Sequence, residues 1–174
     1  MIQHATEKDG VQTPKKRIFV TVGTDLPFDR LAKAIDDWAR ENKLGGIFAQ
    51  IGETNWKPSY ISYQNFLEPP VFKNEFLNAD IIVSHAGMGT ILSSLQYQKP
   101  LIVMPRKASL GEHRNEHQLA TAKHLQKLNK INVASDENEL LEMLSNLDSF
   151  ETREPIGPYA HPNLTDTLRQ FIAQ

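Results

Sequence analysis

A chain of 174 residues has the length of one domain and can bury a core without covalent staples. It contains no cysteine, which excludes a disulfide scaffold, a zinc-ribbon site and a thiol nucleophile. A net charge of −2 marks no nucleic-acid-binding surface. The longest apolar runs, at 81–83 and 101–104, fall far short of the ~18 residues that a membrane span needs.

Residues 1–16 are polar and aperiodic, with no apolar stretch of the kind a secretory signal carries. They predict a flexible arm, with the folded domain running from 17 to 174. IFVTVG at 18–23 is a β-branched run that suits a buried strand. Thr24 or Asp25, with Pro27, predicts a helix start, and Phe28, Leu31, Ala34, Ile35 and Trp38 form its apolar stripe. Gly45-Gly46 closes that helix, and 47–51 reads as a second strand. The stretch from 52 to 68 is weaker, with a short strand predicted at 60–63. Pro69-Pro70 opens a helix carrying Val71, Phe72, Phe76 and Leu77.

A third clear strand, Asp80-Ile81-Ile82-Val83-Ser84, runs directly into His85-Ala86-Gly87-Met88-Gly89-Thr90. The helix that follows, with Ile91, Leu92 and Leu95 on one face, stops at Lys99-Pro100. Residues 101–104 form another buried strand, and a polar loop at 105–112 leads into a helix through Leu119, Ala122 and Leu125. A short strand is predicted at 131–133. Asp136-x-x-Glu139 resembles a capping box for a helix bearing Leu140, Leu144 and Leu147. A last helix is predicted over 163–172.

Strands alternating with helices imply right-handed β-α-β units, and hence an α/β fold with a Rossmann-like open parallel sheet. Ligands bind such sheets at the carboxyl ends of the strands. The chemistry should therefore lie just after Val22, Val83 and Met104.

The strongest local signal is the Gly87-Met88-Gly89-Thr90 turn. Glycines let backbone N–H groups approach a ligand, and a helix N-terminus adds roughly half a positive charge. Together they suit a phosphate or diphosphate, with the Thr90 hydroxyl as a further donor. Position 92 is Leu where a dinucleotide fingerprint needs a third glycine, and no Walker lysine follows. The competing reading is a glycine-lined turn with no ligand. Gly23-Thr24 is a second glycine turn that would face the same crevice.

The third element is Gly111-Glu112-His113-Arg114-Asn115-Glu116-His117-Gln118. Dense hydrogen-bonding groups at the mouth of a helix suit a polyhydroxylated ligand such as a sugar, and equally a solvated helix start. His113 to His117 also fits H-x-x-E-H, a zinc signature that requires a regular helix and a third ligand. Arg106-Lys107 with Arg114 predicts a modest basic patch, mostly solvated but able to attract phosphates. Lys123, Lys127 and Lys130 read as a solubilising face. No nucleophile elbow is present, and His4 and His161 carry no assignable role.

Four stretches in register resemble the C-terminal, nucleotide-sugar-binding half of GT-B glycosyltransferases of family 28, the MurG type. These are IFVTVGT, PFDRL at 27–31, ADIIVSHAGMGTI at 79–91, and KPLIVMPR…GEHRNEHQLATA at 99–122. The resemblance spans about 17–128 and is stronger to small subunits of split enzymes, namely the PssE-type exopolysaccharide transferases and the catalytic subunit of the eukaryotic dolichol-linked N-acetylglucosamine transferase. PFDRL and GEH…HQ favour the PssE-type branch.

The resemblance implies that Gly87, Met88, Gly89 and Thr90 hold the diphosphate of a UDP-sugar, that Gly23 and Thr24 line the same cleft, and that His85, Arg106, Glu112 and Asn115 are also substrate-binding. Phe66 falls where uracil meets the chain. Glu116, His117 and Gln118 fall where the family contacts the ribose and the sugar hydroxyls. The family commonly has Asp where this chain has Asn115 or Glu116, which bears on the donor sugar. Implied with it are inverting hexose transfer to a lipid-linked acceptor, no cofactor and no metal. A general base would come from a membrane-anchored MurG N-half-like (PssD-type) partner, and the chain would sit at the inner face of the membrane through that partner. An exposed apolar patch near the cleft or on the last helix would be the docking surface. The alternative is a non-catalytic enhancer that stabilises a partner transferase.

Overall fold

The computed structural model describes residues 16–147 and Phe150. The predicted arm up to residue 15 and the predicted helix at 163–172, with His4 and His161, lie outside these residues. The described part alternates strands and helices throughout: β1 (Ile18–Thr21), α1 (Asp29–Glu41), β2 (Ile47–Gln50), β3 (Ser62–Gln64), α2 (Pro69–Asn78), β4 (Ile81–Ser84), α3 (Met88–Gln96), β5 (Leu101–Val103), α4 (His117–Lys127), β6 (Asn132–Val133) and α5 (Glu137–Ser145).

The strands form one sheet in the order β3-β2-β1-β4-β5-β6, and every neighbouring pair is parallel. The α/β, Rossmann-like prediction therefore stands. Side chains alternate across the sheet, which makes two cores. Ile18, Val20, Ile81 and Val83 pack with Leu31, Ile35 and Trp38 of α1 and with Leu140 and Leu144 of α5. Phe19, Ile82 and Val103 pack on the other face with Phe76, Ile91, Leu95 and Ala122. The chain walks outward from β1 to β3 and then returns to lay β4 on the other side of β1. The carboxyl ends of β1 and β4 thus flank the topological switch point, where such sheets open a crevice.

Most element boundaries shift by a residue or two from the sequence reading, and the shifts at β3 and α1 have visible local reasons. β3 begins at Ser62 rather than residue 60, because the N–H groups of Tyr60 and Ile61 donate to the buried carboxylate of Asp36, both at 2.9 Å. Helix α1 begins at Asp29 after Phe28, with no side-chain cap. Thr24, Asp25 and Pro27 belong to the preceding loop, where the Leu26 carbonyl accepts from Arg106. β6 is Asn132–Val133, one residue shorter than the predicted 131–133. The cap of α5 is as expected: Asp136 Oδ1 accepts from Glu139 N at 2.9 Å, while Glu139 Oε2 accepts from Ser135 N at 2.7 Å.

Candidate functional site

The site is built where β1 and β4 end. Beyond β1, Gly23 adopts φ +82°, a left-handed turn that favours glycine. Beyond β4, Gly87 is the residue before α3 and has an ordinary extended backbone (φ −81°, ψ 127°). Its lack of a side chain matters for space instead. A Cβ on Gly87 would collide with His85 Nε2, and one on Gly23 would lie 2.7 Å from His85 Cε1. The imidazole is therefore wedged between the two turns.

Gly89, in the first turn of α3, is different: a Cβ there would meet nothing within 4 Å. No side chain caps α3. Its opening amides, at Met88, Gly89 and Thr90, thus start the helix beside open space at the switch point. An uncapped helix start of this kind favours an anion through its N–H groups and its dipole.

His85 is held neutral. Burial lowers its pKa from 6.5 to about 4, the positive charge of Arg106 adds to that, and the Thr21 backbone acts in the opposite sense. Ser84 Oγ lies 3.4 Å from its Nδ1.

Arg106 corrects a prediction. It is 2% exposed, so no solvated patch of Arg106, Lys107 and Arg114 forms. Its Nη2 donates to the Val22 carbonyl at 2.8 Å and also to that of Leu26, and its guanidinium lies 5.3 Å from the Phe28 ring centroid. Burial lowers its pKa, with the charges of Asp25 and Glu112 opposing. Its Nε is buried without a hydrogen-bond partner.

The polar stretch before α4 is organised rather than merely solvated. It contains a single 3-10 turn, Ala108–Leu110, closed by Gly111 at φ 70°. Glu116 Oε1 accepts from Ala108 N at 3.1 Å, Asn115 Oδ1 from His117 N at 3.2 Å, and Gln118 Oε1 from Arg106 N at 3.2 Å. Asn115, Glu116 and His117 remain exposed. Both Glu112 oxygens accept from Arg30, at 2.6 and 2.9 Å, and Oε2 also accepts from Lys107 N at 2.9 Å. Glu112 thus braces the loop instead of offering a free carboxylate to a ligand. The zinc reading fails on geometry, because only His117 of the H-x-x-E-H stretch is helical and His113 lies in the loop with Nδ1 at 3.2 Å from the Asn115 carbonyl.

Phe66 is 48% exposed in the loop between β3 and α2. The buried Gln50 ties that loop to the first turn: its Oε1 accepts from Leu67 N at 3.0 Å, and its Nε2 reaches the Gly23 carbonyl at 3.3 Å. Sequence reasoning missed Gln50, Asp36 and Arg30. A lone glutamine inside the apolar run IFAQI was the available signal for the first.

Residues 17–159 match the glycosyltransferase family 28 C-terminal domain. The chain belongs to this family. Its sheet and helices are those of the GT-B C-terminal, donor-binding half. Over 121 residues (64% of this chain) it is 34% identical to the human UDP-N-acetylglucosamine transferase subunit ALG13, of which it spans 10%. A Prochlorococcus marinus UDP-N-acetylglucosamine–N-acetylmuramyl-(pentapeptide) pyrophosphoryl-undecaprenol N-acetylglucosamine transferase is 31% identical over 102 residues, 52% of this chain and 28% of that protein. The chain therefore spans only a fraction of these family 28 relatives. The crystal structure of Acinetobacter baumannii MurG shares the fold with a TM-score of 0.57 at 19% identity, over 79% of this chain and 43% of that one.

Proposed function

We propose that this chain is the donor-binding subunit of a two-part inverting glycosyltransferase that moves a hexose from a UDP-sugar to a lipid-linked acceptor. The observation that carries this reading is the uncapped start of α3 at the switch point, with Gly89 open above it. The diphosphate sits there, on the amides of Met88, Gly89 and Thr90 and the Thr90 hydroxyl, next to the Gly23-Thr24 turn. Uracil lies toward Phe66, and the sugar toward Glu116, His117 and Gln118.

As the glycosidic bond breaks, negative charge builds on the leaving UDP. Fixed N–H donors and the helix dipole stabilise that charge without rearranging. The acceptor hydroxyl must also lose a proton. A general base works best with a pKa near the operating pH, and His85, lowered to about 4 by burial, is too weak for that role. The resemblance to MurG-type enzymes implies that the base comes instead from a partner, a membrane-anchored PssD-type subunit that also holds the acceptor. No helix among the described residues is long and apolar enough to cross a membrane, and the partner would hold this chain at the inner face of the membrane. Met88 and Leu92, one turn apart on α3 and both exposed, are the surface assigned to that partner. The human relative is named a subunit, and the name of the Prochlorococcus relative specifies an undecaprenol-linked acceptor. The PFDRL and GEH elements favour a role in exopolysaccharide or other surface-polysaccharide synthesis.

Calorimetric titration of UDP-sugars into the chain, alone and with its partner, tests the proposal. At least one UDP-sugar binds, and Thr90→Val and Gln118→Ala each weaken it about tenfold, the worth of one good hydrogen bond. No binding of any UDP-sugar in either setting would overturn it.

A further inference from the structure

PFDRL and GEH lie far apart in the sequence, and the fold makes them partners. Arg30, in the first turn of α1, donates Nε to Glu112 Oε1 at 2.6 Å and Nη2 to Oε2 at 2.9 Å. The two side chains are only 14% and 13% exposed. Nη2 also reaches the Pro105 carbonyl at 3.3 Å, and Nη1 reaches Glu137 Oε2 at 3.0 Å. The contacts run in the other direction as well, since Arg106 of the β5–α4 loop donates to the carbonyls of Val22 and Leu26 in the β1–α1 loop. Phe28 lies between these contacts, its ring centroid 5.2 Å from the Arg30 guanidinium carbon and 5.3 Å from that of Arg106. The first turn of α1 thus sends Arg30 to the β5–α4 loop, and that loop sends Arg106 back to the β1–α1 loop.

We propose that Arg30 is a positioning residue that fixes the sugar side of the cleft relative to the phosphate turn. The inference rests on the donor-site reading given above. Bidentate pairing with a planar guanidinium sets orientation as well as distance, which a lysine at position 30 would not do. The hydrogen-bond partners of Arg30 lie on the β5–α4 loop and at the start of α5, and none belongs to the His85–Thr90 turn. Through Glu112 the pair also holds Lys107 N at 2.9 Å, and Pro105 precedes Arg106, whose N–H donates to Gln118. Loss of the clasp should therefore loosen the loop leading to Glu116, His117 and Gln118 and leave the diphosphate site in place.

The test compares Arg30→Met and the milder Glu112→Gln with the unmodified chain, using UDP and UDP-N-acetylglucosamine as probes. Both variants should weaken UDP-N-acetylglucosamine about tenfold, the worth of one well-placed charged hydrogen bond, while UDP affinity stays the same. Parallel weakening of both probes, or unchanged affinity for both in a folded variant, overturns the proposal. Where neither probe binds the unmodified chain, with its partner or without it, the donor-site reading itself fails; where both bind equally, the sugar gives no readout. In either case amide exchange decides. Arg30→Met, or Glu112→Gln where that variant does not fold, must speed exchange at Lys107 and Leu110 about tenfold and leave Ile91 of α3 unchanged. Unchanged protection at Lys107 and Leu110 overturns it.

Discussion

His85 occupies the space that a side chain on Gly23 would need: a Cβ there would fall 2.7 Å from the imidazole Cε1. The ring thereby couples the ends of β1 and β4, which flank the switch point. It also separates the glycines by cause. Gly23 and Gly87 make room for His85, whereas Gly89 has empty space above it.

Alanine substitutions should separate these roles. Gly87→Ala and Gly23→Ala destabilise the fold by about 1–3 kcal/mol through overpacking against a confined ring, with further backbone strain at Gly23. Gly89→Ala, inside a helix and free of contacts, stabilises by about 0.5–1 kcal/mol. It nevertheless weakens UDP, because the new methyl group covers the helix start. Urea denaturation alongside calorimetry reads both effects, and unchanged UDP affinity in Gly89→Ala would place the phosphates elsewhere.

The pH dependence follows from His85. Its folded-state pKa of about 4 lies below the ordinary 6.5, so between those values the unfolded chain binds more protons. The stability at stake is fully present above pH 6.5 and is lost as the pH falls toward 4, by about 3 kcal/mol. Denaturation of the unmodified chain and of His85→Gln from pH 4 to 7 checks this, since the variant should show a shallower fall. An NMR titration of the ring should have its midpoint near 4 and move upward when UDP is added.

Asp36 should be among the costliest polar side chains to replace. It is 2% exposed and accepts from Ser59 N, Ser59 Oγ, Tyr60 N and Ile61 N at 2.9–3.0 Å. Asp36→Asn turns an amide toward donors that need an acceptor, which leaves buried N–H groups unpaired. A loss of about 2–4 kcal/mol is expected from equilibrium unfolding. A change below about 0.5 kcal/mol, the level of an ordinary surface substitution, would contradict the role given to it.

The fold was legible because its strands are short β-branched runs and its helices carry regular apolar stripes, with Ile18, Val20, Leu31 and Ile35 as the clearest cases. The strand-end turns at Gly23 and Gly87 were legible for the same reason, since parallel sheets place their turns at predictable points. Long-range polar contacts were not. Nothing local announces that Asp36 will terminate the β3 ladder, that Gln50 will hold Leu67, or that Arg106 will be buried. Each depends on a partner brought close only by the finished sheet. Arg106 was picked out for its charge and Glu112 as one of a run of hydrogen-bonding side chains, and the fold commits both largely to backbone and side-chain partners within the protein.

The central claim is that a diphosphate rests on the start of α3 beside Gly23 and His85. The most direct test is a map of backbone amide shifts in the isotope-labelled chain as UDP is added. The largest shifts are expected at Met88, Gly89 and Thr90, with smaller ones at Gly23 and Thr24. Saturable shifts confined to the opposite end of the sheet, in the groove lined by Arg17, Phe48 and Glu75, would contradict it.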